Sequence, residues 1–446
     1  MRIFGGRVYT PAGPRELDVL LEGDSIAALE PPSTAGDVDA RGLWVLPGGI
    51  DAHVHSRDPG FPEKEDFGSL TEAATAGGIT TVIDMPNTVP CVSDGDILLA
   101  KREAVAGKAQ ADFALWGILR HSSTEDDLRS LAAAGAAGIK AYLGYAVRKS
   151  SGEVLYTPAV VDPDLEPPAS YGSIARLGET LAAMGLPFAA HAEDPSVLIA
   201  SARRVETYAD LLGARPDAAE AVAVAALGAL ARRFGLQLHI VHLASAAGVS
   251  AIRSIGATVE VTPNHLLLTE ADFGRLGPVM KMYPLVRGRG DQLALRSALE
   301  EGLIATLGSD HAPHTDYEKL HLPLAQAHAG SPGVQSLYLA ALQIAGPERA
   351  VELLAENPAQ IFGLSRKGRI EPGLDADLVL VDPNARTEVS EEWQRSRQKH
   401  AALTGLVFDF AIRQVFLRGR PPAPGRGVFL RPGGARLRPG QPADTG

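Results

Sequence analysis

The sequence predicts an α/β protein built as a (β/α)8 TIM barrel, with a small β-sandwich module formed from its N- and C-terminal segments. Three observations carry this. Eight apolar runs of strand length alternate with alanine-rich helical patterns through the middle of the chain. Both ends read instead as short strands punctuated by Gly, Pro and Asp. The 446 residues also exceed the ~250–300 that one ordinary core supports, so the length calls for a barrel or for several domains.

Taken in order, residues 1–46 carry strand patterns at 2–4, 17–21 and 25–29, and comparable patterns return only at 368–373, 376–381 and 411–417. We therefore expect one composite module from 1–46 and 366–420, with two unrelated β appendages as the alternative. The barrel is expected over 47–365. Its strands fall at 50–55, 79–85, 113–117, 138–143, 188–191, 236–242, 257–261 and 303–307, with helices such as 69–76, 219–234 and 292–301 between them. The connections 144–170 and 262–290 far exceed the ~4–6 residues usual in such units, which marks them as lids or substrate loops. A doubly wound open sheet is the competing fold, but no Gly-rich phosphate fingerprint follows any strand. The Pro/Gly/Arg-rich stretch 421–446 lacks apolar periodicity and is expected to be disordered or loosely attached.

Composition narrows the function classes. A hydrophobic content of 45% excludes a mostly disordered chain, and a formal net charge of −11 argues against nucleic-acid or anionic-membrane partners. Cys91 is the only cysteine, so no intramolecular disulfide forms. The apolar run 221–231 is shorter than the ~18 residues a membrane span needs. The sequence reads as that of a soluble, cytoplasmic protein.

The chemistry gathers at strand ends. In Asp51-Ala52-His53-Val54-His55 the period-2 geometry of a strand puts His53 and His55 on one face, where both imidazoles can meet one cation. His191 ends the fifth strand pattern, His242 the sixth and Asp310 the eighth. Four histidines and an aspartate at the C-terminal mouth, where barrel active sites form, point to a metal centre. Imidazole and carboxylate ligands without cysteine favour zinc, with manganese, cobalt and iron left open. Lys140 lies within the fourth pattern, 138–143. A protonated lysine cannot ligate a metal, but carbon dioxide added to the neutral amine makes an anionic, two-oxygen bridge for a metal pair. A snorkelling or ion-paired lysine is the alternative.

These residues resemble the amidohydrolase superfamily, and within it the cyclic amidohydrolases: dihydroorotases, allantoinases and hydantoinases. The most specific stretches are 51–60 (DAHVHSRDPG), 84–88 (DMPNT) and 310–314 (DHAPH), which together look most like dihydroorotase. The resemblance implies two Zn2+ per chain, His53 and His55 on one, His191 and His242 on the other, bridged by carboxylated Lys140. Asp310 would ligate the first zinc and act as the catalytic proton shuttle. It further implies reversible hydrolysis of L-dihydroorotate to N-carbamoyl-L-aspartate in pyrimidine biosynthesis, with Arg57, Asn87 and His314 binding the substrate carboxylate. A homo-oligomer, dimer or tetramer, and association with a transcarbamoylase are partner expectations of the same kind. For Arg57 an ion pair with Asp58, Glu63 or Glu65 is the competing reading.

Departures from the dihydroorotase pattern keep the ring identity open. Tyr283 stands where an asparagine usually touches the pyrimidine ring, and Gln335 where a glutamate is usual. Tyr145 matches a hydantoinase tyrosine that assists the oxyanion. Allantoin, a hydantoin or a dihydropyrimidine is therefore the alternative substrate. A non-catalytic homologue kept as a structural partner is a third reading, against which all six ligand positions are filled.

Overall fold

The computed structural model describes residues 1–431 and 433. Eight parallel strands follow one another in sequence order: Gly49–Val54, Ile79–Asp84, a third strand broken at Trp116 into Asp112–Leu115 and Gly117–Leu119, Ile139–Tyr142, Pro187–His191, Gln237–Ile240, Thr258–Val261 and Thr306–Leu307. Each matches one of the eight expected runs. Between the last strand and the first, Val54 forms a parallel bridge with His311, and His55 N–H donates to the His311 carbonyl at 2.8 Å. Sequential parallel pairing demands a crossover helix each time, and the alanine-rich patterns supply them. The helix Asp217–Phe234 is typical: Ala219, Ala223, Leu227 and Ala231 recur at helical spacing on its buried face. Gly228 on that face packs so closely that a Cβ would stand 2.1 Å from Ile255.

Strands from both ends of the chain share one seven-stranded mixed sheet. Trp44–Pro47 lies between Arg2–Thr10 and Leu378–Asp382, so the N-terminal strands join the C-terminal ones directly. The sheet encloses its own apolar cluster, including Ile3, Val8, Val45, Leu380 and Phe416. The chain passes from this sheet into the barrel through Gly48 and Gly49, where a Cβ at Gly48 would stand 2.1 Å from Thr80. A buried charge network reinforces the junction: the Lys367 ammonium reaches Asp112 at the base of the barrel and Asp377 (2.7 Å), and Arg418 also pairs with Asp112.

Two expectations about the ends change. Residues 389–404, counted with the terminal module, leave its sheet and pack over the barrel mouth: Ser396 donates to Glu65, and Gln398 accepts from the His314 N–H at 2.8 Å. The tail was expected to be loose beyond Pro421, yet Phe113 N–H donates to Val428 O at 2.9 Å and Leu430 N–H to Phe113 O at 2.7 Å. Phe429 packs on the barrel core beside Phe113. The physical reason is that a third-strand start with open backbone groups offers pairing that needs no periodic pattern in its partner. The rest of that tail, 432 and 434–446, lies outside the described residues.

The connection 144–170 is not plain loop. It carries a small antiparallel sheet from Ala146–Arg148, Val154–Leu155 and Leu165–Glu166. Among the described residues no helix is long and apolar enough to cross a membrane.

Candidate functional site

The C-terminal ends of the strands converge on a narrow cavity lined by His53, His55, His191, His242 and Asp310, with Asn87 and several tyrosines, Tyr145 and Tyr283 among them, completing the wall. His53 and His55 point both Nε2 atoms at one oxygen, Asp310 Oδ1, at 3.2 and 3.1 Å. Their opposite nitrogens are committed: His53 Nδ1 lies 2.7 Å from Glu260 Oε1, and His55 Nδ1 lies 2.7 Å from Asn87 Oδ1. In the tautomer where each ring donates through Nδ1, both Nε2 lone pairs face the carboxylate oxygen with no proton between them. A cation resolves that arrangement. On the other side, His191 Nδ1 and His242 Nε2 stand 3.0 Å apart, while His191 Nε2 is anchored on Glu193 at 2.7 Å.

The electrostatics match a metal-ligating set. Burial pushes His55 down to about 4 and holds His191 and His242 below the usual imidazole range, so these rings stay neutral. Burial alone would raise the Asp310 carboxyl, but His53 and His55 outweigh it and hold the group ionised. Lys140 is fully buried, and its Nζ has no hydrogen-bond partner among the described residues. Burial pushes its amine down to about 7, against the opposing pull of Glu260 and Asp310. An ordinary surface lysine is neutral only near pH 10, so this one is unusually open to carbon dioxide. Its field bears on His191, His242 and Asp310, the residues a bridging group would join. The orphaned amine and the facing lone pairs fit a metal centre held by the six expected residues.

Local backbone geometry is unusual where the chemistry is. Arg57, His242 and Asp310 adopt φ values of 61°, 41° and 46°, a region non-glycine residues seldom occupy, at about 1–3 kcal/mol each. Neighbouring contacts hold them: Asp51 accepts from His53 N–H and Ser309 N–H, and Asp84 accepts from Ser56 N–H at 2.8 Å while pairing with the buried Lys101 ammonium at 2.7 Å.

The remaining expected residues divide. Asn87, Tyr145 and Tyr283 line the cavity. Arg57 and His314 stand just behind Ala312 and Gly330: Arg57 Nε donates to Pro313 O at 3.2 Å, its Nη2 lies 3.3 Å from His314 Nε2, and that nitrogen is also 3.0 Å from Ala329 O. The competing ion pair for Arg57 is not formed among the described residues. Asp58 pairs with Lys108 at 2.7 Å, and Glu65 is taken by Ser69, Ser396 and His311. A second cluster of His314, Glu318 and His328 could also face a cation, but the Lys64 ammonium already holds Glu318 at 2.7 Å.

Sequence reasoning missed the carboxylates behind the ligands. Glu260 fixes His53, and Glu193 fixes His191 while Arg215 grips it from the other side. Such partners set which nitrogen faces the metal and raise its basicity. A signal existed in each case: Glu260 sits at an inward, strand-end position of an otherwise apolar run, and Glu193 follows His191 at the period-2 spacing.

Comparison with known proteins agrees with this geometry. The chain matches the amidohydrolase family over residues 44–421. The chain belongs to that family. Among its relatives, an allantoinase from Rubrobacter xylanophilus is 35% identical, over 98% of this chain and 97% of that protein. A dihydroorotase from Halobacterium salinarum is 36% identical, over 87% of this chain and 89% of its own length. Among solved structures, an L-hydantoinase (dihydropyrimidinase) from Arthrobacter aurescens superposes with a TM-score of 0.86 at 28% identity, covering 96% of this chain and 97% of that one. This amidohydrolase is accordingly a hydrolase of cyclic amides, built on the TIM-barrel fold, from a family that generally binds a metal. Its relatives carry different names, allantoinase, dihydroorotase and hydantoinase, so the ring itself is a separate question.

Proposed function

We propose that this amidohydrolase is a zinc-dependent dihydroorotase, which opens L-dihydroorotate to N-carbamoyl-L-aspartate and closes it in reverse. The observation that supports this reading is Arg57: a residue only 7% exposed, beside the histidine cluster, whose guanidinium has no carboxylate partner among the described residues. A buried cation without a counter-ion is costly, and an anionic substrate supplies the missing charge. Dihydroorotate carries a ring carboxylate. Allantoin and hydantoin do not.

His53, His55 and Asp310 would hold one zinc, His191 and His242 the other, with carboxylated Lys140 between them. When bound, such cations supply Lewis-acid polarisation of the scissile carbonyl and lower the pKa of water. The protein's own residues do the rest. Asp310 Oδ2, which makes no hydrogen bond among the described residues, takes the attacking water's proton and returns it to the departing ring nitrogen. Tyr145, whose hydroxyl burial keeps protonated, is a donor for the developing oxyanion. Asn87 has its Oδ1 fixed by His55, which leaves its Nδ2 free to donate to the substrate carboxylate beside Arg57.

Allantoinase is the second reading, favoured by one contact: the Ala329 carbonyl already engages His314 Nε2, so this member of the clamp must be released before it can meet a substrate. The test is a hydrolysis panel of dihydroorotate, allantoin, hydantoin and dihydrouracil on the zinc-loaded enzyme, with metal analysis. Dihydroorotate should give the highest kcat/KM. A higher value for allantoin would replace the first reading with the second.

A further inference from the structure

Tyr283 departs from the usual dihydroorotase asparagine, and the structure shows what holds the new side chain. The Arg215 guanidinium lies over the Tyr283 ring, its Cζ 3.7 Å from the centroid, close enough for stacking and cation–π attraction. The same guanidinium forks onto Glu193, with Nε donating to Oε1 at 3.1 Å and Nη2 to Oε2. Glu193 Oε2 in turn lies 2.7 Å from His191 Nε2. All of Arg215, Glu193 and His191 are buried. Arg287 Nη2 donates to the Arg215 carbonyl at 2.7 Å and so fixes its backbone at the end of the helix Tyr208–Ala214. One planar cation thus touches the cavity wall that faces the substrate ring on one side and the anchor of a metal-ligand histidine on the other.

We propose that Arg215 is a positioning residue that couples ring specificity to the metal centre, acting through Tyr283 on the first and through Glu193 on the second. The chain His191, Glu193, Arg215, Tyr283 is continuous, and every link is a hydrogen bond or a stacked contact. Lysine cannot replace arginine here, because an ammonium has neither the two-point fork nor the flat face. Tyr283 freed of its stack is expected to shift against Tyr156, whose ring lies 6.3 Å away, and change the shape offered to the substrate. Glu193 freed of its fork would hold His191 less rigidly. The metal part rests on the ligand role proposed above for His191; the ring part holds whichever cyclic amide proves best.

Three variants separate the two arms. Tyr283→Leu should change the ratio of kcat/KM between ring substrates by about tenfold or more, chiefly through KM, and leave the rate of zinc loss to a chelator unchanged. Glu193→Gln should speed that loss by about 10–100-fold, the range for removing a partner behind a ligating histidine, with little change in the ring ratio. Arg215→Lys should do both. Melting temperatures taken alongside report folding, and the chelator arm is read without turnover. An Arg215→Lys enzyme that folds and moves neither readout, or only one, would overturn the proposal. Dihydroorotate failing as the preferred ring would overturn only the dihydroorotase reading.

Discussion

Replacing Arg57 by alanine tests the substrate reading most directly. The residue is 7% exposed, and the only close polar contacts of its guanidinium among the described residues are Pro313 O and the edge of His314. If it grips a substrate carboxylate, the variant loses two charge-assisted hydrogen bonds worth ~1.5–3 kcal/mol each, or roughly 3–6 kcal/mol before water fills the space. A net loss of ~3–4 kcal/mol corresponds to a fall of about 10²–10³ in kcat/KM for dihydroorotate. Most of it should appear in KM. The backbone does not confound the result, because alanine meets the same left-handed penalty at φ 61° as arginine does. Nor should stability fall much, since the substitution removes a buried charge that has no acidic partner among the described residues. Steady-state kinetics on dihydroorotate and allantoin, with metal content and melting temperature as controls, reads all of this. Allantoin turnover should change less than about tenfold, because that ring has no carboxylate to lose. A folded, metal-loaded variant with dihydroorotate kcat/KM within about fivefold of wild type would refute the clamp.

Asp310→Asn should abolish turnover by about 10³-fold or more while substrate still binds, as measured by calorimetry, because an amide cannot take and return the proton. Glu260→Gln should release zinc to a chelator about 10–100-fold faster, since His53 then loses the carboxylate that fixes its Nε2 toward Asp310. A pH effect should arise at Glu220, behind the strand end that carries His242. Burial pushes Glu220 up to about 7, against hydrogen bonds from Ala244 N–H and Ser245. Between its unfolded value near 4.5 and about 7 the folded state binds the extra proton, so this group's stabilisation is complete below 4.5 and disappears as pH rises through 7. Glu220→Gln should flatten that decline by up to ~1.4 kcal/mol per pH unit, and denaturant melts between pH 5 and 7.5 would show no difference in slope if the reasoning is wrong.

Much of the site was legible because strand geometry and residue chemistry are both local. His53 and His55 alternate on one strand, and His191, His242 and Asp310 each close a run whose apolar pattern announces its end. The supporting carboxylates were harder. A buried carboxylate on a strand looks the same in sequence whether it packs against a lysine, as Asp84 does against Lys101, or behind a cavity-lining histidine, as Glu260 does against His53. The tail shows the limit of periodicity as a guide. Val428 and Leu430 attach by backbone pairing to Phe113, and backbone pairing leaves no side-chain signature.

The sequence by itself determined the barrel and the cyclic amidohydrolase chemistry, since each rests on periodicity or on residue types at strand ends. Only the tertiary structure decided how those residues are held. It put two imidazole Nε2 atoms against one Asp310 oxygen and left the Lys140 amine buried and without a hydrogen-bond partner among the described residues. It left Arg57 without an acidic partner among the described residues and made Arg215 span Tyr283 and Glu193. The reason is physical: protonation, pairing and strain depend on distances of about 3 Å between segments far apart in the chain, 258 residues in the case of Asp51 and Ser309. No local pattern encodes those distances.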